Sequence, residues 1–263
     1  MGEKAKVICF SNHKGGVGKS CSACNIGVGL SRKERRVLIV DLDPQANLTL
    51  SLGIKDVEKS IYHALIGECK LSEITYPVNR YLHIVPSNLD LSGAEIELSS
   101  ESGRELILKE LLGPELENYD YIIIDCPPSL GLLTLNALTA STDVIIPLQA
   151  QFLACQGLTK QHEVIEKIKS RLNRSLKILG IIITQFDGRK VLSRDVESFI
   201  RDQFDDLVFK TCVRDTVALA EAPGMGKDIF RYKPNSRGAS DYADLCDEVI
   251  VRLEGQRVLS SVK

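Results

Sequence analysis

Apolar residues along this chain gather into short unbroken runs, and between the runs they recur every three or four positions. The runs at 6–11, 37–41, 82–86, 121–125, 143–148 and 178–184 have strand length, as in Tyr121-Ile122-Ile123-Ile124 and Ile178-Leu179-Gly180-Ile181-Ile182-Ile183. Helix-spaced stretches lie between them, notably at 90–98, 103–112, 131–141, 154–173, 192–203 and 238–254, and small and apolar residues predict a helix from Cys21 to Leu30. This alternation predicts an α/β fold, a mostly parallel twisted sheet with helices on both faces. Runs apolar at every position, rather than at every second one, suit strands covered on both sides.

Between the first strand and the first helix stands His13-Lys14-Gly15-Gly16-Val17-Gly18-Lys19-Ser20. In a phosphate-binding loop, glycines let successive N–H groups face the phosphates, the last lysine reaches the β/γ-phosphates, and the following hydroxyl holds Mg²⁺. The usual first glycine of that pattern is His13 here, and the run fits K-G-G-x-G-K-[ST] instead. Its fixed positions should coincide by chance on the order of once in ten million windows at ordinary residue usage. Strand, loop and helix are also the context the motif needs, because the helix N-terminus places free N–H groups and partial positive charge under a polyphosphate. Gly15, Gly16, Val17, Gly18, Lys19, Ser20 and Cys21 are therefore the expected nucleotide-binding residues.

Three acidic residues end strands on the side where open α/β sheets collect their ligands. Asp125 follows Ile122-Ile123-Ile124, and Asp41 and Asp43 follow Val37-Leu38-Ile39-Val40. If the strand continued through residue 43, alternation would turn both of its acids to one face. Each of the three reads either as a metal or water ligand or as a strand-end cap.

Lys14 to Ser20, Val40-Asp41-Leu42-Asp43-Pro44-Gln45-Ala46-Asn47, Asp125-Cys126-Pro127-Pro128-Ser129, Glu221-Ala222-Pro223 and Ser236-Arg237-Gly238 together resemble the ParA/Soj family of deviant P-loop ATPases. The likeness covers nearly the whole chain. It implies an ATPase that uses ATP and Mg²⁺ and forms a homodimer around the nucleotide. Such a dimer partitions plasmid or chromosomal DNA by non-specific binding, with a ParB-like adaptor stimulating hydrolysis. By the same resemblance Lys14 reaches the opposite subunit's nucleotide, Asp43 polarises the attacking water and ligates the metal, Asp41 supports the metal shell, and Ser20 and Asp125 complete it. Adenine is expected near Thr211–Asp215 and Ala222–Gly224. Arg189 and Arg214 are the expected DNA contacts, although Ala218 stands where chromosomal members usually carry arginine. A membrane-surface or cargo-positioning switch of the MinD kind is the alternative.

Composition narrows this little. With 263 residues, 44% of them hydrophobic, residues 1–263 are expected to form one domain without an N-terminal helix-turn-helix. No run approaches the ~18 apolar residues of a spanning helix, no secretory signal is visible, and a cytoplasmic, nucleoid-associated protein is expected. The tail Val251–Leu259 carries Gly255 and no aromatic anchor, so no stable membrane association is expected. A formal charge of −2 provides no global field for nucleic acid, and any DNA affinity must come from local patches. Eight cysteines spread over the chain, Cys21 and Cys24 included, read as packing thiols.

Overall fold

The computed structural model describes residues 4–151 and 154–261, with side chains for 4–151 and 157–255. Strands β1 (Lys6–Phe10), β2 (Val37–Asp41), β3 (Tyr76–Asn79), β4 (Leu82–Val85), β5 (Tyr121–Asp125), β6 (Asp143–Gln149) and β7 (Lys177–Thr184) form one sheet in the order β3-β4-β2-β5-β1-β6-β7. Every pairing is parallel except β3 with β4. The helices are α1 (Lys19–Arg32), α2 (Asn47–Ser51), α3 (Ile61–Leu65), α4 (Leu91–Glu97), α5 (Ile107–Leu112), α6 (Leu132–Ala140), α7 (Ala154–Arg171), α8 (Val191–Phe204), α9 (Val217–Glu221), α10 (Ile229–Tyr232) and α11 (Arg237–Ser261). The expected α/β architecture with a mostly parallel sheet is what the chain forms.

Strand alternation divides the unbroken apolar runs between two cores. Val7, Cys9, Leu38, Val40, Ile122 and Ile124 pack on one face of the sheet. Ile8, Phe10, Val37, Ile39, Tyr121 and Ile123 pack on the other, with α1 and α11. The small residues of α1 permit its close approach: a β-carbon on Gly27 would stand 2.5 Å from Ile39, and one on Gly29 2.4 Å from Cys246.

Three features depart from the pattern. β3 is an edge strand, and only there can Pro77 sit in a strand without costing a ladder hydrogen bond. The short helices α2, α3, α9 and α10, of five residues or fewer, are too brief for a helical period to show. The 103–112 helix starts only at Ile107, because Gly103 takes φ 72° and a turn precedes the helix. No described helix is long and apolar enough to cross a membrane.

Because β1, β2 and β5 are parallel neighbours, the segments leaving them emerge at one edge. Phe10 pairs with Asp125, and Asp41 pairs with Asp125. The chain leaves β1 for β2 on one side while β6 lies on the other, which makes this edge the switch point of the sheet.

Candidate nucleotide-binding site

The loop after β1 is held open by its neighbours. Ser11 N–H donates to Ile145 O, the Asn12 side chain donates to Pro147 O (2.8 Å), and Lys14 N–H donates to Asn12 Oδ1 (3.0 Å). Thr184 Oγ1 donates to Val17 O (2.8 Å), and Gln185 Nε2 donates to Gly16 O (2.7 Å). With these carbonyls bonded outward, the loop's N–H groups are left to face a ligand. Gly16 and Gly18 take φ of 73° and 83°, a region that disfavours any residue with a β-carbon. Gly18 also caps α1, whose first turn carries no acidic residue and receives no side-chain cap. The partial positive charge of a 14-residue helix is thus uncompensated at the loop. No motif marks Thr184 or Gln185; their one sequence signal is position, at the C-terminal end of β7.

The two lysines of the loop are placed differently. Lys19 is 6% exposed, and its Nζ donates to Lys14 O at 3.1 Å. Burial lowers its pKa, while Asp125 and Asp43 pull the other way. Lys14 lies exposed at the rim and reaches Gln151 Oε1 at 2.7 Å.

The acids meet at the same edge in three different states. Asp125 is fully buried, and neither of its carboxylate oxygens has a hydrogen-bond partner of good geometry among the described residues. Desolvation and the neighbouring Asp41 hold its pKa well above the usual carboxylate range, with Ser20 and Lys19 opposing them. A buried acceptor pair left open beside a serine hydroxyl fits a divalent cation. Asp43 is 6% exposed and accepts from Gln45 N–H at 2.9 Å.

Asp41 is held differently from the other two acids. β2 ends at Asp41, so the strand does not continue to Asp43 and the alternation argument does not apply. Instead the Asp41 carboxylate accepts from Asp43 N–H (3.1 Å), Thr49 N–H (2.9 Å) and Thr49 Oγ1 (2.6 Å). It organises the turn that carries Asp43, and Thr49, which no motif marked, is the residue that occupies it. Burial raises its pKa to about 6 against these three donors.

Arg214 pairs beside Phe186, three residues before Arg189 in the chain, through Phe186 N–H to Val213 O and Asp215 N–H to Phe186 O. Both arginines are already paired. Arg189 binds Asp187 at 2.9 and 3.0 Å with its side chain 92% exposed. Arg214 donates through Nε to both oxygens of the buried Asp241. Ala218 is buried in the second core, while its neighbour Val217 is exposed. Of the C-x-x-C pair, Cys24 is 1% exposed, and Cys21 faces Asn25 and Tyr242. The side chains of Val258 and Leu259 in the tail lie outside the described residues.

A family profile described as an AAA domain matches residues 5–178. The chain is 44% identical over 250 residues to the chromosome partitioning protein ParA of Myxococcus xanthus, covering 94% of this chain and 88% of that protein. It is 44% identical over 247 residues to the sporulation initiation inhibitor protein Soj of Bacillus subtilis, covering 93% and 98%. Among solved structures, the Mycobacterium smegmatis protein named cobyrinic acid a,c-diamide synthase, with bound ADP and magnesium, superposes with a TM-score of 0.84 at 36% identity, covering 95% and 96%. A phosphate loop braced on three strand ends, a lysine buried within it and three acids gathered beside it agree with these similarities, and the chain belongs to the ParA/Soj family of partitioning ATPases.

Proposed function

We propose that this chain is a nucleotide-driven switch of the ParA type, built as a single ATPase domain. It binds ATP with Mg²⁺, dimerises across the bound nucleotide, associates with DNA without sequence preference in that state, and releases DNA when a ParB-like adaptor stimulates hydrolysis. The divergence of the two loop lysines carries this reading. Lys19 is buried inside the loop of its own subunit, whereas Lys14 stands exposed at the rim, available to a nucleotide held by a second copy.

Within one subunit, N–H groups from Gly15 to Cys21 receive phosphate oxygens, and Lys19 exchanges Lys14 O for them. Ser20, Asp43 and Asp125 hold the cation, which when bound offsets charge accumulating on the phosphates. Asp43 orients the attacking water, and Asp41 keeps Asp43 in position through the Asp43 N–H bond. Lys14 of the second copy adds a cation at the transferring group, so dimerisation and turnover share one residue. Loss of the γ-phosphate removes contacts that favour the dimer.

The test is co-sedimentation of the protein with plasmid DNA and with anionic liposomes, each in ATP and in ADP. ATP-dependent pelleting with unrelated DNA duplexes is expected. Sedimentation with liposomes and not with DNA at low salt would replace this reading with the membrane-surface one.

A further inference from the structure

A groove of about 980 Å³ opens between α3, the 66–73 turn, the end of α4, α5 and the 3-10 turn after α5. None of its lining residues belongs to the phosphate loop or to the acids beside it. Its floor is apolar: Leu65, Leu71 and Leu98 are each 3% exposed, and Leu111 is half-buried beside them. Its rim is acidic, carrying Glu68, Glu73, Glu97, Glu101, Glu110 and Glu115, all exposed except the half-buried Glu115.

The only base lining the groove is Lys70, and Lys59 lies near Cys69 at its edge. Yet the whole chain is nearly balanced, with 33 basic and 35 acidic residues. Folding has therefore concentrated negative charge from segments some 50 residues apart around one apolar surface. Among the described residues, none of the six glutamates is in an ion pair. Glu73 accepts from Lys70 N–H, Glu97 from the Tyr62 hydroxyl and Glu115 from the Asn118 side chain. Glu68, Glu101 and Glu110 make no side-chain bond to any described residue.

Charge and shape together select the occupant. No three His, Cys, Asp or Glu side chains among the described residues converge well enough to hold a metal ion, so the carboxylates are not a cation cage. Nucleic acid and anionic lipid carry the same sign as the rim and are repelled. An apolar floor between acidic walls matches a short amphipathic segment, its apolar side chains seated at helical spacing and its basic ones meeting the rim. We propose that this groove docks a basic amphipathic segment of a partner protein. The proposal does not rest on the nucleotide reading, because it involves none of the same residues.

The probe is a fluorophore-labelled amphipathic peptide of Leu and Lys only, with Leu at i, i+3 and i+4, titrated by anisotropy into the full nucleotide-free chain. A Leu/Glu counterpart and a scrambled Leu/Lys peptide serve as controls. Salt-sensitive binding of the amphipathic peptide is expected, weakened about tenfold or more in Glu101→Lys/Glu110→Lys. These two positions are exposed, and the neutral variant Glu68→Gln/Glu101→Gln/Glu110→Gln should weaken binding in the same direction. Carbodiimide coupling, which joins a carboxylate to a lysine amine with loss of water, should attach the peptide at the six rim glutamates. No binding at low salt, equal binding of the scrambled peptide, an unchanged affinity in both variants or coupling elsewhere would each overturn the proposal. So would self-association of the wild-type chain that Glu101→Lys/Glu110→Lys abolishes, since the occupant would then be a second copy. ATP hydrolysis should be unchanged in these variants, which keeps this test separate from that of the nucleotide site.

Discussion

Asp41 and Asp125 stand side by side in register at the C-terminal ends of the parallel strands β2 and β5, both fully buried, but only one of them is satisfied by the protein. Asp41 is filled by three donors from Asp43 and Thr49, and Asp125 is left open. One acid therefore shapes the site, and its neighbour is free to take a ligand. Burial first and the neighbouring Asp41 second raise the Asp125 pKa well above the usual carboxylate range.

The nucleotide-free protein should lose stability as pH rises through the range in which Asp41 ionises. Its folded pKa of about 6 lies above the unfolded value near 3.8, so the native state binds more protons between them. The Asp41 contribution is complete below about pH 4 and lost by the time pH has passed about 6. Asp187, held down to about 2 by Arg189, acts with opposite sign and at lower pH, its contribution disappearing as pH falls from about 4 to about 2. Thermal unfolding in EDTA from about pH 2 to about pH 8 checks both windows, and Asp41→Asn should flatten the upper one.

The two loop lysines should separate in function. Lys19→Ala removes a buried charged donor and should weaken ATP binding by about 10–100-fold, the equivalent of a lost charge-assisted hydrogen bond. Lys14→Ala should bind ATP normally yet lose ATP-dependent dimerisation and about 10³-fold or more in turnover. Isothermal titration and light scattering with ATP distinguish them. An unchanged dimer fraction in Lys14→Ala would show that this lysine serves only the surface of its own subunit.

Asp43→Ala should bind Mg·ATP and dimerise but turn over slowly, trapping the dimer, because the phosphate contacts remain while the water is no longer oriented. Thr49→Val should act indirectly. It takes the 2.6 Å bond from Asp41 and an acceptor from Ser87 N–H, costing about 1–3 kcal/mol of stability. Asp43 then loses its positioning, so Thr49→Val should lower turnover with ATP affinity nearly kept, in steady-state assays at a temperature where the variant is folded.

Removing Arg189 and removing Arg214 should have different consequences. Arg189 is almost fully exposed, so Arg189→Ala should leave stability within about 0.5 kcal/mol of wild type and weaken binding to every DNA sequence alike. Arg214→Ala leaves the buried Asp241 without its guanidinium partner, keeping only the residue-214 N–H bond, and should lower the unfolding temperature clearly. Denaturation and salt-dependent DNA binding measured on both variants would expose equal behaviour as a contradiction.

Arg252→Met should destabilise the chain by about 1–3 kcal/mol. Its guanidinium donates to Leu179 O, Leu207 O and Val208 O and lies 4.1 Å from the ring centroid of Phe209. Gly180 makes room for it: a β-carbon there would meet Arg252 at 2.6 Å and Leu207 O at 2.9 Å. Gly180→Ala should therefore show a comparable loss in urea unfolding.

Much of this protein could be read from its residues in order. Six of the seven strands, the long helices and the phosphate loop are local patterns, in which apolar runs, helical spacing and glycines at positive φ leave their mark within a dozen residues. β3 and the helices of five residues or fewer could not be read, because so short a segment takes its conformation from what it packs against. The acids could be located but not distinguished: nothing in Asp41-Leu42-Asp43 says that the strand stops at the first of them, or that Thr49 will fill its carboxylate.

Local residue patterns specify six strands of the sheet, the loop and the residue types gathered at the loop, since each depends on neighbouring residues whose spacing the backbone enforces. Only the tertiary structure decided which lysine turns inward, which aspartate remains open, and that Arg214 is bound to Asp241 from 27 positions away. The same holds for the glutamates from 68 to 115 that meet around one apolar groove. These outcomes depend on burial and on partners distant in sequence, and a charge's environment exists only after the chain has closed around it.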